Sequence, residues 1–113
     1  MSSWVLLVGC SSEHRSIENV SIAGFHSAEP ERCRRSDVDL DERQVTSFFE
    51  RATNIDGRTL HDQYVWAPCY LEGTLNYQGN ACKWRVRAGA TGELECEARE
   101  QYFGCSVCGD LFE

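Results

Sequence analysis

The chain has 113 residues, with two prolines, nine glycines and 42% apolar residues; this suits one folded domain with a modest core and argues against disorder. A net charge of -7 and a pI near 4.9 argue against nucleic acid as a partner, because a nucleic-acid surface is basic. No apolar run approaches the ~20 residues of a membrane-spanning helix.

At the start of the chain, Leu7-Val8-Gly9-Cys10 followed by Ser11-Ser12 has the form of a bacterial lipobox, the signal that directs lipid onto a cysteine and tethers a secreted protein to a membrane. On that reading residues 1–9 are a truncated signal, Cys10 is the lipidated residue and residues 10–18 are a polar tether. A complete signal has a basic start and about 7–15 apolar residues before cleavage. Here Met1-Ser2-Ser3 carries no Lys or Arg, and the apolar run covers only residues 4–8. Two explanations remain: a signal clipped by a late start codon, or a short buried strand in which Cys10 is an ordinary residue. The cysteine count favours the lipobox. Seven cysteines are many for a cytosolic protein of this size and usual for small secreted domains. With Cys10 lipidated, six remain, enough for three disulfides with no thiol left over.

Residues 20–25 alternate at period two and predict a strand. Residues 26–36 read as a loop holding Pro30 and Cys33. The clearest helix follows, capped by Asp39 or Asp41, with Val45, Phe48, Phe49 and Ala52 at i, i+3, i+4 and i+7 and a stop at residues 54–57. Its two phenylalanines share a face and must lie on something apolar.

The second half supplies that surface. Leu71, Leu75 and Tyr77 alternate with Glu72, Thr74 and Asn76. A two-residue turn at Gly79-Asn80 then places Tyr77 opposite Cys82, Leu75 opposite Trp84 and Glu72 opposite Arg87. Cys82, Trp84 and Val86 alternate with Lys83, Arg85 and Arg87, and a loop through Gly89 and Gly92 leads to a strand over residues 93–97. Symmetric closure of that loop sets Arg87 against Glu93, Arg85 against Glu95 and Lys83 against Glu97, with Trp84, Val86, Leu94 and Cys96 on the other face. These charges read as a solvated, self-paired face, each pair worth ~0.2–1 kcal/mol, or alternatively as a docking surface. Tyr102 and Phe103 begin a fourth strand that runs into Cys105-Ser106-Val107-Cys108. The expected fold is α+β: residues 19–113 form a single domain with one helix packed on an antiparallel meander of about four strands, plus an N-terminal strand, stapled by disulfides. Six cysteines allow fifteen connectivities. The expected set is Cys33 with Cys69, tying the loop before the helix to the start of the meander, Cys82 with Cys96, diagonally offset on adjacent strands, and Cys105 with Cys108.

Chemistry is harder to find. A redox Cys-x-x-Cys works at a helix N-terminus, and too few residues follow Cys105-x-x-Cys108 for such a helix. Cys-x-x-Cys is also half of a zinc motif, but Cys82 and Cys96 are too far apart to be the other half. No metal site, cofactor or catalytic residue is expected. His14, His26 and His61 are scattered, and His61-Asp62, beside Tyr64 and Trp66, has no nucleophile and reads as a loop histidine. Glu93, Glu95 and Glu97 line a sheet face rather than a cleft. Tyr64, Trp66, Pro68 and Tyr70 form an aromatic cluster around Cys69. It reads as core packing, or as a partner-binding surface anchored by Tyr64, Trp66 and Tyr70.

Tyr64-Val65-Trp66-Ala67-Pro68-Cys69-Tyr70, Gly73, Cys82-x-Trp84-x-Val86-Arg87-Ala88-Gly89-x-Thr91-Gly92 and Tyr102-Phe103-x-Cys105-x-x-Cys108 together resemble small cysteine-rich proteobacterial envelope lipoproteins of unassigned function. The resemblance runs from Phe25 onward and implies the periplasmic side of a bacterial envelope. Ser11 after the cysteine, by resemblance to enterobacterial lipoproteins, implies the outer membrane. The expected function is non-enzymatic: a lipoprotein held to the membrane through Cys10 that binds or inhibits another protein, in the manner of an inhibitor or immunity protein. Its acidity suits a basic partner such as a secreted toxin or a cell-wall hydrolase. The alternatives are a structural envelope lipoprotein without a tight partner and a cytosolic zinc-binding or redox cysteine module.

Overall fold

The computed structural model describes residues 16–64 and 67–112; Cys10 with its lipobox, His14 and Trp66 lie outside them. Six strands form one antiparallel sheet: β1 (Ile17–Ser27), β2 (Thr53–Ile55), β3 (Cys69–Tyr77), β4 (Asn80–Arg87), β5 (Thr91–Cys96) and β6 (Arg99–Gly104), in the order β1-β3-β4-β5-β6-β2. Two α-helices accompany it, α1 (Glu42–Arg51) and α2 (Gly57–Gln63), with single 3-10 turns at Arg35–Val38 and Gly109–Leu111. The class is the expected α+β, with one more helix and one more strand than the sequence pattern predicts.

Helix α1 starts at a reciprocal cap. The Asp41 carboxylate accepts the Gln44 N–H at 2.8 Å, and the Gln44 side chain accepts the Asp41 N–H at 2.9 Å. Val45, Phe48, Phe49 and Ala52 are buried, the face its periodicity predicts. Phe49 meets Phe103 edge-on at 5.5 Å and Trp84 at 6.4 Å, and the Trp84 indole satisfies its N–H by donating to the Thr74 carbonyl at 3.0 Å. Phe48 lies against β5 at Gly92, where a Cβ would stand 2.6 Å from the ring. Only glycine lets the helix approach the sheet so closely.

All three expected disulfides are present: Cys33–Cys69, Cys82–Cys96 and Cys105–Cys108. The first fastens the loop before α1 to the start of β3. The second joins positions that stand directly opposite on β4 and β5, not diagonally offset as expected. The third closes the C-terminal turn, which Arg51 holds on α1 through Asp110 and the Val107 carbonyl, both at 3.1 Å.

The register differs from the expected one by two residues in both hairpins. The β3–β4 turn is Gln78-Gly79, not Gly79-Asn80; both residues have positive φ, 51° and 86°, as a two-residue turn matching the strand twist requires. Tyr77 therefore pairs with Asn80, Leu75 with Cys82, Gly73 with Trp84 and Tyr70 with Arg87. In β4–β5 the loop is Ala88-Gly89-Ala90, so Arg87 faces Thr91, Arg85 faces Glu93 and Lys83 faces Glu95. Glu97 leaves the strand for the β5–β6 turn, at φ 52°. A slip of two keeps every side chain on its face, so the division into apolar and charged faces holds.

Strand β1 is longer than residues 20–25. It starts at Ile17, taking two residues of the segment read as a tether, because Ile17 is buried opposite Tyr77. It carries an extra residue relative to β3 at two places, between Glu18 and Ser21 and between Ile22 and Gly24. No helix among the described residues is long and apolar enough to cross a membrane.

Candidate functional site

Helix α1 and the C-terminal turn cover one face of the sheet. The other face carries Tyr70, Glu72 and Thr74 of β3, Lys83, Arg85 and Arg87 of β4, Thr91, Glu93 and Glu95 of β5, and Glu100 and Tyr102 of β6. Over one end of it lies α2. The Asp56 carboxylate caps this helix by accepting the Thr59 N–H at 2.7 Å, a bond that lowers the Asp56 pKa below its usual 3.8. Leu60 is buried, and the Tyr64 ring rests on Gly104, where a Cβ would come within 2.4 Å of it. The sequence pattern missed α2 because the glycine at its first position reads as a stop; Asp56 before Thr59, with Leu60 and Tyr64 four residues apart, was the available signal.

Under that end the charges are not solvated, contrary to expectation. Arg87 and Glu93 are only 8% and 7% exposed. The Glu93 carboxylate accepts Arg85 Nη1 at 2.9 Å and Arg87 Nε at 3.3 Å, while Arg87 Nη1 donates to the Ala67 carbonyl at 3.3 Å. Arg87 thus reaches Glu93 along the diagonal instead of facing it. The Tyr70 ring lies 4.7 Å from the Arg87 guanidinium and 5.5 Å from that of Arg85. The bond from Glu93 raises the Arg85 pKa still further. On the β1 side, His26 stacks on Tyr70 at 5.4 Å and shares a 2.7 Å hydrogen bond with Glu72.

Toward the β5–β6 turn the face opens. Glu95 and Glu100 are exposed and directly opposite each other. Neither forms an ion pair among the described residues; Glu100 accepts the Tyr102 hydroxyl at 3.2 Å, which raises the phenol pKa above its usual 10.0. Two depressions adjoin here and share Arg85, Glu93 and Glu100. One, of about 280 Å³, runs over Gly73 and Thr74 between Glu72 and the Glu95–Glu100 pair. The other, of about 510 Å³, separates α2 from the sheet and is walled by Leu60, His61, Tyr64 and Tyr102.

The expected aromatic anchors are thus divided. Tyr64 lies over β6 and Tyr70 on β3, both half-buried on the open face but on opposite sides of the Arg87–Glu93 pair. They do not form one cluster around Cys69. His61 is on α2 rather than in a loop, with an exposed ring 3.4 Å from its neighbour Asp62. The carboxylates do line depressions, contrary to the flat face expected, and Glu72, Glu100 and Tyr102 join them. Strand parity could have found all three. The four thiols considered for zinc are taken up by two disulfides. No family model, no curated protein and no solved structure matches this chain.

Proposed function

We propose that this chain is a non-enzymatic lipoprotein of the bacterial envelope, anchored through Cys10, that binds and restrains a second, basic protein through the open face of its sheet. The observation that carries the binding half is the charge arrangement of that face. Its buried arginine is matched by Glu93, while Glu95 and Glu100 stand exposed and form no ion pair among the described residues, with Lys83 as the one cation across from Glu95 on the neighbouring strand. The net charge of -7 adds long-range attraction for a basic partner, and the local pair would select how it docks. Three disulfides in so small a domain favour an oxidising compartment.

Two measurements test the two halves. Intact mass of the native protein, alkylated without reductant, should show three disulfides and a diacylglyceryl group on Cys10; six alkylatable thiols would overturn the envelope half. For binding, the full chain with disulfides intact should retain a basic protein from a bacterial envelope extract, and Glu95→Lys/Glu100→Lys should release it. Equal retention by that variant would overturn binding through this face.

A further inference from the structure

We infer that the cleft between α2 and the sheet is a binding site for a neutral saccharide of one or two pyranose rings. This goes beyond the protein-binding reading and does not rest on it. The cleft has a volume of about 510 Å³, within the ~300–1,000 Å³ of small-molecule sites. Helix α2 forms one wall with Leu60 and His61, and its seven residues span about 10 Å. A tyrosine stands at each end of it. The Tyr102 ring lies beside Gly57 at the start of α2, where a Cβ would stand 3.9 Å from it, and the Tyr64 ring at the end of α2 is seated on Gly104. Tyr102 and Gly104 are two positions apart on one strand, so both rings flank the same cleft.

The polar lining is balanced in charge, with the guanidiniums of Arg85 and Arg87 against the carboxylates of Glu93 and Glu100. The Arg85 side chain is 40% exposed and gives Nη1 to Glu93, which leaves further guanidinium N–H groups to donate. Glu100 receives the Tyr102 hydroxyl on Oε1 and keeps a second oxygen to accept. A guanidinium and a carboxylate side by side suit neighbouring hydroxyls, which both donate and accept, and a tyrosine ring packs on the C–H face of a sugar. A cationic ligand would meet both guanidiniums, and an anionic one both carboxylates and the net charge of -7. An apolar ligand would cover these groups without pairing them. A neutral ring rich in hydroxyls meets the donors, the acceptors and the tyrosines together.

The test is backbone amide NMR of the full chain with disulfides intact, titrated in turn with maltotriose, cellotriose and triacetylchitotriose. At least one should bind with a Kd below about 10 mM, with shifts concentrated at Gly57, His61, Tyr64 and Tyr102. Sorbitol, which has hydroxyls but no ring, should produce no shifts there. Tyr102→Ser should weaken binding of that sugar about fivefold or more, and Tyr102→Phe, which keeps the ring, about threefold or less. His26→Ala, outside the cleft, should leave it unchanged. His61→Ala, at an exposed position of α2, should weaken it about twofold or more and tests the helix wall even where Tyr102→Ser fails to fold. Binding of none of the three sugars, shifts centred outside the cleft, or undiminished binding in His61→Ala and Tyr102→Ser would overturn the site. Shifts at the same residues from a tri-arginine peptide, equal to or larger than those from the sugars, would also overturn it and assign the cleft to a protein side chain. Retention of a basic protein from an envelope extract is decided separately and bears on none of these outcomes.

Discussion

Glu93 is the residue on which the open face depends. Its carboxylate lies between two guanidiniums at 2.9 and 3.3 Å and is nearly buried, so a neutral replacement leaves buried positive charge opposed by less than it needs. Glu93→Gln should cost about 3 kcal/mol, read as a lowered urea midpoint, because breaking one side of a buried pair costs more than the pair contributes. Glu95→Gln, one pleat away and exposed, should change the midpoint little, since it removes a carboxylate that faces Glu100 on one side and Lys83 on the other. Asp56 and Asp110 contribute to the acid response. Hydrogen bonds from Thr59 and Arg51 lower their folded pKa values below the usual 3.8. Their contribution is therefore present above that value and lost as pH falls through the folded pKa values. In the double variant Asp56→Asn/Asp110→Asn, the fall in urea midpoint below about pH 4 should be shallower than in the parent; an unchanged slope would mean that other carboxylates carry it.

At the scale of elements, the cysteines are the clearest case of legibility. Sequence alone leaves fifteen connectivities open; placing α1 and the meander favours Cys33–Cys69 and Cys82–Cys96, and the three-residue spacing favours Cys105–Cys108, the set the structure contains. Loop-closure entropy ranks the bonds: with separations of 36, 14 and 3 residues, Cys33–Cys69 constrains the unfolded chain by roughly 4 kcal/mol, against roughly 3 for Cys82–Cys96 and under about 2 for Cys105–Cys108. Replacing each pair by alanine should lower the thermal midpoint in that order, and a larger loss for the Cys105–Cys108 pair would contradict it. The hairpins were legible as to face but not as to register. Gln78 is an uncommon residue at positive φ, so Gly79-Asn80 is the more natural turn from sequence; the observed register instead sets Gly73 opposite Trp84, whose ring lies 2.8 Å from where a Cβ would stand. Helix α2 and β2 were not legible. Each is short, and each is held by tertiary contact: Tyr64 on Gly104, and Thr53–Ile55 beside the end of β6.

For the whole molecule, the division into a helix-covered apolar face and a charged open face was readable from strand parity. The burial at the open face was not, because it comes from Tyr70, the Ala67 carbonyl and the two arginines closing on Glu93 beside α2. That closure changes the meaning of the charges. Arg87 and Glu93 become structural, and the exposed carboxylates near the β5–β6 turn are the part of the face through which the proposed binding would act. The most direct measurement is site-specific photo-crosslinking in cells, with a photoreactive residue at Thr74 on the open face or at Arg43 on the exposed side of α1. An adduct with a basic envelope protein from position 74, absent from position 43 and lost in Glu95→Lys/Glu100→Lys, is the expected result. Adducts from position 43 alone, or adducts from position 74 that survive the charge reversal, would contradict binding through this face.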